Sequence, residues 1–507
     1  MRHVVSSIAL LATVAAAGIV VVPDEYPTIQ AGLNAAGSGD TVLVKPGTYP
    51  ENITWPGRDG IRLYSADGPA ATVIDGGGNG RVIDISGSSI REATELRGFT
   101  VTGGFLGSGT NHGAGIRVSG ANPVITGNVI RGNECVAPES VNAWNYGGGI
   151  YISNSTAGRA TEVRFNVIDS NRQVDGAWNY GGGIYITGAG GALVWQNIIR
   201  GNVHESELNP SNRGHGAGVY IDRGALLFSN LIVGNINRTN AWNYGGGVAC
   251  TGTLAELYGN TIVGNACQGG SWRQGGGVFV YLNAAAVAKN NIIVGNEAGQ
   301  GGGFYRYDHE SALLANSHND VWSNTGGNYA NCSPGPGDIS DDPLFAAGPL
   351  GEHYLGQVAA GQPANSPCLD AGDTIITAWP VNLDSMILAW TTRTDSAMDA
   401  PPVDIGYHYP VGVMTGVTEL PTFTCRPVRV TPNPSTGPVR FSLPGSSGQA
   451  RLVICDAAGR VVRLLQGVGE LAWDGRDASG RQVAAGVYPW RVESGSFVTA
   501  GRLVRLD

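Results

Sequence analysis

Trp144, Trp178, Trp242 and Trp272 each stand three residues ahead of a glycine block, and the first three lie inside the same string, Ala-Trp-Asn-Tyr-Gly-Gly-Gly. A flat indole face matches the apolar C–H face of a sugar ring. A row of such rings is therefore chemistry for an extended glycan, with the hydroxyls of Tyr146, Tyr180 and Tyr244 beside it. One repeat breaks the row: Arg213 takes the Trp position, next to His215, in a loop that also carries His204, Glu205 and Glu207, while the preceding loop carries Asp175. Hydrolysis of a glycosidic bond uses a carboxyl acid and a second carboxylate, and lyase chemistry uses a base plus a cation for the uronate. Asp175, Glu205, Glu207, Arg213 and His215 are accordingly the candidate catalytic residues. The Trp and Tyr residues are the candidate substrate-binding residues; a ladder that only packs loops onto the body is the competing reading. Asp308, His309 and Glu310 with His318 and Asp320 make a second polar group, whose spacing fits no standard metal site.

Repeated elements must position these residues. A glycine block followed by an apolar strand recurs at 147–152, 181–186, 216–221, 245–250, 275–280 and 301–305. An Asn-hydrophobic-Ile-x-Gly-Asn unit recurs between them, starting at Asn128, Asn166, Asn197, Asn230, Asn260 and Asn291. Three short strands per period with Asn at the corners describe one coil of a parallel β-helix. Asn tolerates the left-handed conformation there, and Asn residues stacked from coil to coil can hydrogen-bond in a ladder. Equivalent positions then stack at ~4.8 Å, which lines the Trp residues along one edge. Upstream, Ile29, Leu33 and Ala36 share one helical face, and a short amphipathic helix suits the exposed end of a solenoid.

The stretch from Val22 to Ala31, VPDEYPTIQA, followed by 39–51, resembles the start of secreted right-handed parallel β-helix proteins of the pectin-lyase-like superfamily. Asp341 to Phe345, Asn365 to Gly372 and Asp404 to Tyr407 resemble the run-out with which many bacterial members close. The resemblance covers about residues 22 to 409 and implies a fold rather than an activity. Gly214-His215-Gly216 resembles the Gly-His-Gly of polygalacturonases, but the adjacent Asp pair which that family needs is absent from the neighbouring coils. His112 precedes Gly113 in the same way, which favours a structural role for His215. No cofactor is expected, and calcium has no supporting motif of the pectate-lyase type.

Composition sets the frame. Gly fills 79 of 507 positions and charged residues only 14%, against roughly 7% and 25% in ordinary proteins, which excludes a helical bundle or a charged disordered tail. The net charge of −9 gives no general attraction to nucleic acid or anionic membrane. Residues 1–17 read as an export signal: Arg2, an apolar run, then Ala15-Ala16-Ala17; no later stretch is long and apolar enough to span a bilayer. The seven Cys residues contain no C-x-x-C pair; Cys250–Cys267 and Cys332–Cys368 are possible bridges, and free buried thiols an equal alternative.

After a Pro-rich stretch the Gly/Asn repeat disappears. Short alternating strands separated by Gly turns then suggest a small antiparallel sandwich over 426–507, joined by a linker at 410–425 to the solenoid of 18–409. Thr431 to Pro434, Asp456 to Arg460, Trp473 to Gly480 and Ala485 to Tyr488 resemble the Ig-like module shared by flagellar hook-capping proteins and by C-terminal sorting domains of type IX secretion substrates. The resemblance implies an address or attachment element, with secretion or surface-attachment machinery as its partner. The fold class expected is all-β: a right-handed parallel β-helix solenoid followed by a small Ig-like β-sandwich. The function expected is binding of extended polysaccharide or surface glycan along the Trp-lined face of an exported, cell-surface protein. A polysaccharide lyase or glycoside hydrolase, and an adhesin or structural surface protein, are the alternatives.

Overall fold

The computed structural model describes residues 17–506 apart from 138–142, 155, 207–208, 253–254, 282, 308–311, 374–385, 412–428, 433–434, 443–449, 457–460 and 495–496. The expected export signal lies almost wholly outside the described residues. Among the described residues no helix is long and apolar enough to cross a membrane.

Aliphatic residues at every second strand position build the body. Ile130, Ile168, Ile199, Ile232, Ile262 and Ile293 stand in register on successive strands, each with no exposed surface. Each such side chain removed from water contributes about 1.5–3 kcal/mol, and β-branched residues pack well at the spacing of a pleated sheet. Three parallel sheets wrap this core. Sheet I has eleven strands, from Ile19–Val22 to Leu313–Ser317; sheet II has ten, from Gly47–Pro50 to Asp320–Trp322; sheet III has ten, from Ile53–Thr54 to Tyr329–Ala330. The solenoid expected from the repeat is thus present, each strand pairing with its equivalents one coil away.

Buried Asn residues lock the corners. From Asn128 through Asn166, Asn197, Asn230, Asn260 and Asn291 to Asn319, each Nδ2 donates to the Oδ1 of the next coil at 2.9–3.1 Å. A second ladder runs from Asn133 through Asn171, Asn202, Asn235, Asn265 and Asn296 to Asn324. The left-handed residue at these corners is the one before the Asn: Phe165, Gln196 and Ser229 have φ of 53°, 54° and 47°. The Asn itself bridges instead, as Asn197 does by donating to Trp195 O in its own corner and to Val163 O in the preceding coil.

The middle coils hold five strands rather than three. The stretch between the second Asn and the glycine block, read from sequence as a variable loop, is itself two strands that stack with their equivalents. Sheet IV contains Phe105–Leu106, Glu134–Val136, Arg172–Val174, Val203–Glu205, Ile236–Arg238 and Ala266–Cys267. Sheet V contains Asn111–His112, Trp144–Tyr146, Trp178–Tyr180, Arg213–His215, Trp242–Tyr244 and Trp272–Gln274. Together they form a two-layered fin on the body.

Helix Ile29–Ala35 buries Ile29 and Leu33 at the N-terminal end, as its apolar face requires. Thr28 Oγ1 accepts from Ala31 N, and the Glu51 carboxylate accepts from Ile29 N and Gln30 N. The run-out folds back over the outside of the body: Trp390 stacks on Trp195 at 5.8 Å, and Gln196 Nε2 donates to His408 O at 2.6 Å. Cys135, Cys250, Cys267, Cys332 and Cys368 are free. Cys250 points into the body core and Cys267 into the fin, and neither of the two bridges open on spacing alone is formed. At the C-terminal end a three-stranded and a four-stranded antiparallel sheet share one core, including Phe441, Trp473, Leu452, Ile454 and Leu503. This is the small antiparallel module expected. Trp473 is fully buried, and Asp474 Oδ1 accepts from Arg476 N in the turn.

Candidate functional site

Alternation along the fin strands decides what faces where. Cys135, Gln173, His204, Asn237 and Cys267 form one in-register row of sheet IV and point toward sheet V, where Asn237 Nδ2 donates to Gly214 O and Gln173 Nε2 to Tyr180 O. A third Asn ladder faces them: Asn111 donates to Asn145, Asn145 to Asn179, and Asn179 to Asn212. In the Arg213 coil the ladder Asn is displaced to 212, and a glycine stands at 214. A Cβ on Gly214 would fall 1.9 Å from Asn237 Oδ1 and 2.8 Å from His204 Nδ1. The residues flanking the inward row therefore point out of the fin, on the side away from sheet IV.

That outward side is a wall. Trp144, Trp178, Arg213, Trp242 and Trp272 stand directly in register, and so do Tyr146, Tyr180, His215, Tyr244 and Gln274. The indoles are aligned but do not form a continuous stack. Trp144 and Trp272 stay exposed, at 38% and 52%. Between them Trp178 and Trp242 converge on Arg213, whose guanidinium carbon lies 4.4 and 4.3 Å from their ring centres. This is cation–π geometry.

The outer face of sheet III makes the floor. Tyr151, Tyr185 and Tyr220 stack in register at 5.3 and 5.2 Å, their planes nearly parallel. Wall tyrosines meet them edge-on or tilted, Tyr146 against Tyr185 at 4.9 Å and Tyr180 against Tyr220 at 4.8 Å. Asp222 lies on the same floor, accepting from Thr187 Oγ1 at 2.7 Å. Burial first, then the Asp222 charge, pushes the Tyr185 phenol upward, so it keeps its proton and can donate. His215 sits at the angle of wall and floor, within 5.3 Å of Trp178, Tyr180 and Tyr244. Burial, then His204 and Arg213, holds its imidazole down at about 3, and both ring nitrogens are without partners among the described residues. The result is a shallow groove along the solenoid axis, closed at its bottom by the packed rings of Tyr185, Tyr220, Tyr244 and His215 and edged by the Trp row with one arginine midway.

Of the candidate catalytic residues, Arg213 stands in the Trp row and His215, 3% exposed, is buried beneath it, and the acids do not join them. Glu205 points from the opposite face of the fin, where Arg172 bridges it to Glu134 and Arg238 pairs with it from the next coil. Burial alone would raise the Glu205 carboxyl, but hydrogen bonds from both arginines outweigh it and hold it below its ordinary value. Asp175 is left-handed at φ 54° and 4% exposed, its Oδ1 taken by Ser206 Oγ and Asn209 N. Glu207 lies outside the described residues. The assembly of Asp175, Glu205, Arg213 and His215 expected from their closeness in sequence is thus split across the fin by strand alternation. Asp222 is the acid the sequence reading missed; aligned on the glycine blocks, it replaces Thr187 and Thr251 of the flanking coils. Among the described residues the next acid on the floor, Asp84, is neutralised by Arg81 and Arg117 and stands four strands away, ~19 Å at the interstrand spacing.

Asp308, His309 and Glu310 lie outside the described residues, while Asp320 is fully buried, accepting from Asp341 N and from the Cys368 thiol. Burial raises the Asp320 carboxyl to about 7. Asp399, Asp404 and His408 approach one another closely enough to hold a cation. Their ligand atoms are already engaged: His408 bridges Gly406 O and Asp399, and Asp404 accepts from Thr392 Oγ1 and Asp370 N. They tie the run-out together.

Two segments match known families. Residues 430–496 match the FlgD Ig-like domain, in agreement with the motifs of the C-terminal module. Residues 229–372 match the disaggregatase-related family, over the C-terminal coils and the first part of the run-out. A segment is similar to PorZ of Porphyromonas gingivalis, described as an essential bacterial surface component of the type IX secretion system; it is 27% identical over 16% of this chain and 11% of that one, with a TM-score of 0.14. No curated protein matches the chain.

Proposed function

We propose that this parallel β-helix protein binds extended polysaccharide lengthwise in the groove between sheets V and III, and holds it without cleaving it. The observation that carries this reading is the register of the wall. Rings at Trp144, Trp178, Trp242 and Trp272 are placed along the axis by the same hydrogen bonds that pair the coils. One coil advances about the length of one sugar in an extended chain, so successive rings can meet successive sugars. Exposed indoles at both ends, at 38% and 52%, are what docking of a longer chain needs and what packing alone does not. The acids argue against hydrolysis of the bound chain. Glycoside hydrolysis needs two carboxyls about 5–9.5 Å apart. Among the described residues the groove offers Asp222 with no second acid in that range. The expected export signal and the FlgD-like Ig module support delivery to the cell surface, with the module as the attachment element.

Affinity electrophoresis of the full chain through gels cast with neutral and acidic polysaccharides tests this. Retardation is expected, and it is expected to vanish when Trp144, Trp178, Trp242 and Trp272 are all replaced by Ala in a chain that keeps its circular dichroism. A folded chain that passes every polysaccharide unretarded would make the Trp row packing and leave an adhesin or scaffold. Cleared substrate in the same gels would return the enzyme alternative.

A further inference from the structure

Arg213 is the odd member of the wall. Four of the five rungs are indoles and one is a guanidinium, placed third in the row. Among the described residues no carboxylate pairs with it: its contacts are the faces of Trp178 and Trp242, and its Nε is buried without a partner. The arginines of sheet IV are treated differently, since Arg172 and Arg238 both reach Glu205, and Arg273 of sheet V stands in the Asn row rather than the Trp row. A guanidinium held against two rings that stand edge to face is restricted in its freedom to turn, and its remaining N–H groups keep the planar fork that recognises an oxyanion.

The surroundings limit how many anions can lie in the groove. On either side of Arg213 the wall is apolar, and the floor beneath it carries the Asp222 carboxylate. At ~4.8 Å per coil, a polymer with a carboxylate on every sugar would set one charge near each of five rungs. One would meet Arg213; the rest would be desolvated against indole faces or repelled by Asp222. A wholly neutral polymer errs the other way, covering a cation and giving it no counter-charge.

Resting on the groove being the glycan site, we infer that its ligand is a sparsely anionic heteropolysaccharide, neutral over most sugars, with a carboxylate or sulfate at an interval of several sugars seated on Arg213. The preference is set by the count of cations along the wall.

Gellan, with one carboxylate in every fourth sugar, is the probe, beside carboxyl-reduced gellan, polygalacturonate with a carboxylate on every sugar, and neutral hydroxyethyl cellulose. The full chain is run in native gels containing each, at low and high salt. Gellan is expected to retard the protein about tenfold more strongly than its carboxyl-reduced form or polygalacturonate, with the advantage shrinking in salt. Arg213→Trp, which restores the residue of the other coils, is expected to strengthen retardation in neutral polymer, since no cation is then covered, and to abolish the gellan advantage. Carboxyl-reduced gellan sulfated at about one sugar in four identifies the anion: restored Arg213-dependent retardation assigns the seat to either oxyanion, and its absence to carboxylate. Polygalacturonate bound as tightly as gellan, or a gellan advantage that survives Arg213→Trp, overturns the inference. A joint Trp144→Ala and Trp272→Ala variant separates this from the parent reading. Retardation that ignores those rings overturns the groove itself. Retardation that needs them but ignores the anion overturns only the Arg213 seat.

Discussion

The outer face of sheet IV carries Glu134, Arg172, Glu205 and Arg238 on successive coils, each acid bridged to an arginine; the outer face of sheet V, built at the same strand spacing, carries Arg213 alone among indoles. Both faces belong to one fin and share one interior. In a parallel stack every residue sits over its equivalent, so like charges repel at each rung unless the sign alternates. Sheet IV sets Glu134 over Arg172 in one row and Glu205 over Arg238 in another, with Arg172 also reaching Glu205, and satisfies itself. The Trp row of sheet V sets four indoles around a single cation and leaves it to be met from outside. A closed charge ladder marks a face that the protein completes for itself, and a solitary clamped cation marks a face that something else completes.

The contrast is broken most thoroughly by cutting what the faces share. Asn179 Nδ2 donates to Asn212 Oδ1 and Arg213 O, while its Oδ1 accepts from Asn145. Asn179→Ala leaves those buried groups unpaired, and a loss of roughly 2–4 kcal/mol is expected. Urea unfolding followed by circular dichroism measures it, and the loss should be accompanied by weaker retardation in neutral polysaccharide as the wall loosens.

Acid sharpens the contrast, because the faces titrate in different windows. Folded His215 stays neutral down to about 3, whereas the unfolded imidazole takes a proton near 6.5. The unfolded chain therefore binds more protons in this range, and stability falls as pH drops from 6.5 toward 3. His204, inside the fin and also held near 3, adds the same sign. Glu205 acts later: its folded value lies below 4.5, so its contribution is complete above that pH and is lost as pH falls through the lowered value. His215→Phe is expected to flatten the stability profile by up to about 1.4 kcal/mol per pH unit between about pH 6 and 4. Glu205→Gln is expected to change it only at lower pH. Urea midpoints taken along the pH series for both variants check this.

The smallest effect belongs to the exposed end of the charge ladder. The Arg238 side chain is 53% exposed, and Arg238→Ala is expected to cost at most ~1 kcal/mol while leaving glycan retardation as in the wild type. A drop in retardation equal to that of Arg213→Trp would erase the distinction between the faces.

Much of this was legible in the repeat. The coils, the Asn ladders, the capping helix and the in-register Trp positions all follow from spacing, because a solenoid turns sequence periodicity directly into stacking. The C-terminal module followed from its motifs. The left-handed corner residue was misplaced by one because Asn, Gly, Phe and Ser precede the ladder Asn indifferently; the backbone bend is imposed by the ladder. The fin strands were hidden because they are short and their inward residues are polar, so no apolar alternation announced them. Asp222 and the Tyr151, Tyr185 and Tyr220 row escaped notice for a related reason. They sit on strands whose other face is core, and only the fin beside them turns their outer face into a groove.

The sequence by itself determined which residues recur at each rung, since hydrogen-bonded coils must superimpose equivalent positions. Tertiary structure decided which side of the fin each rung faces. Glu205 and Arg213 are close in the chain, yet they belong to two strands whose alternation is set by what packs between them, Asn237 and His204 against Gly214. Facing is a property of that packed interior, which exists only when both layers are in place.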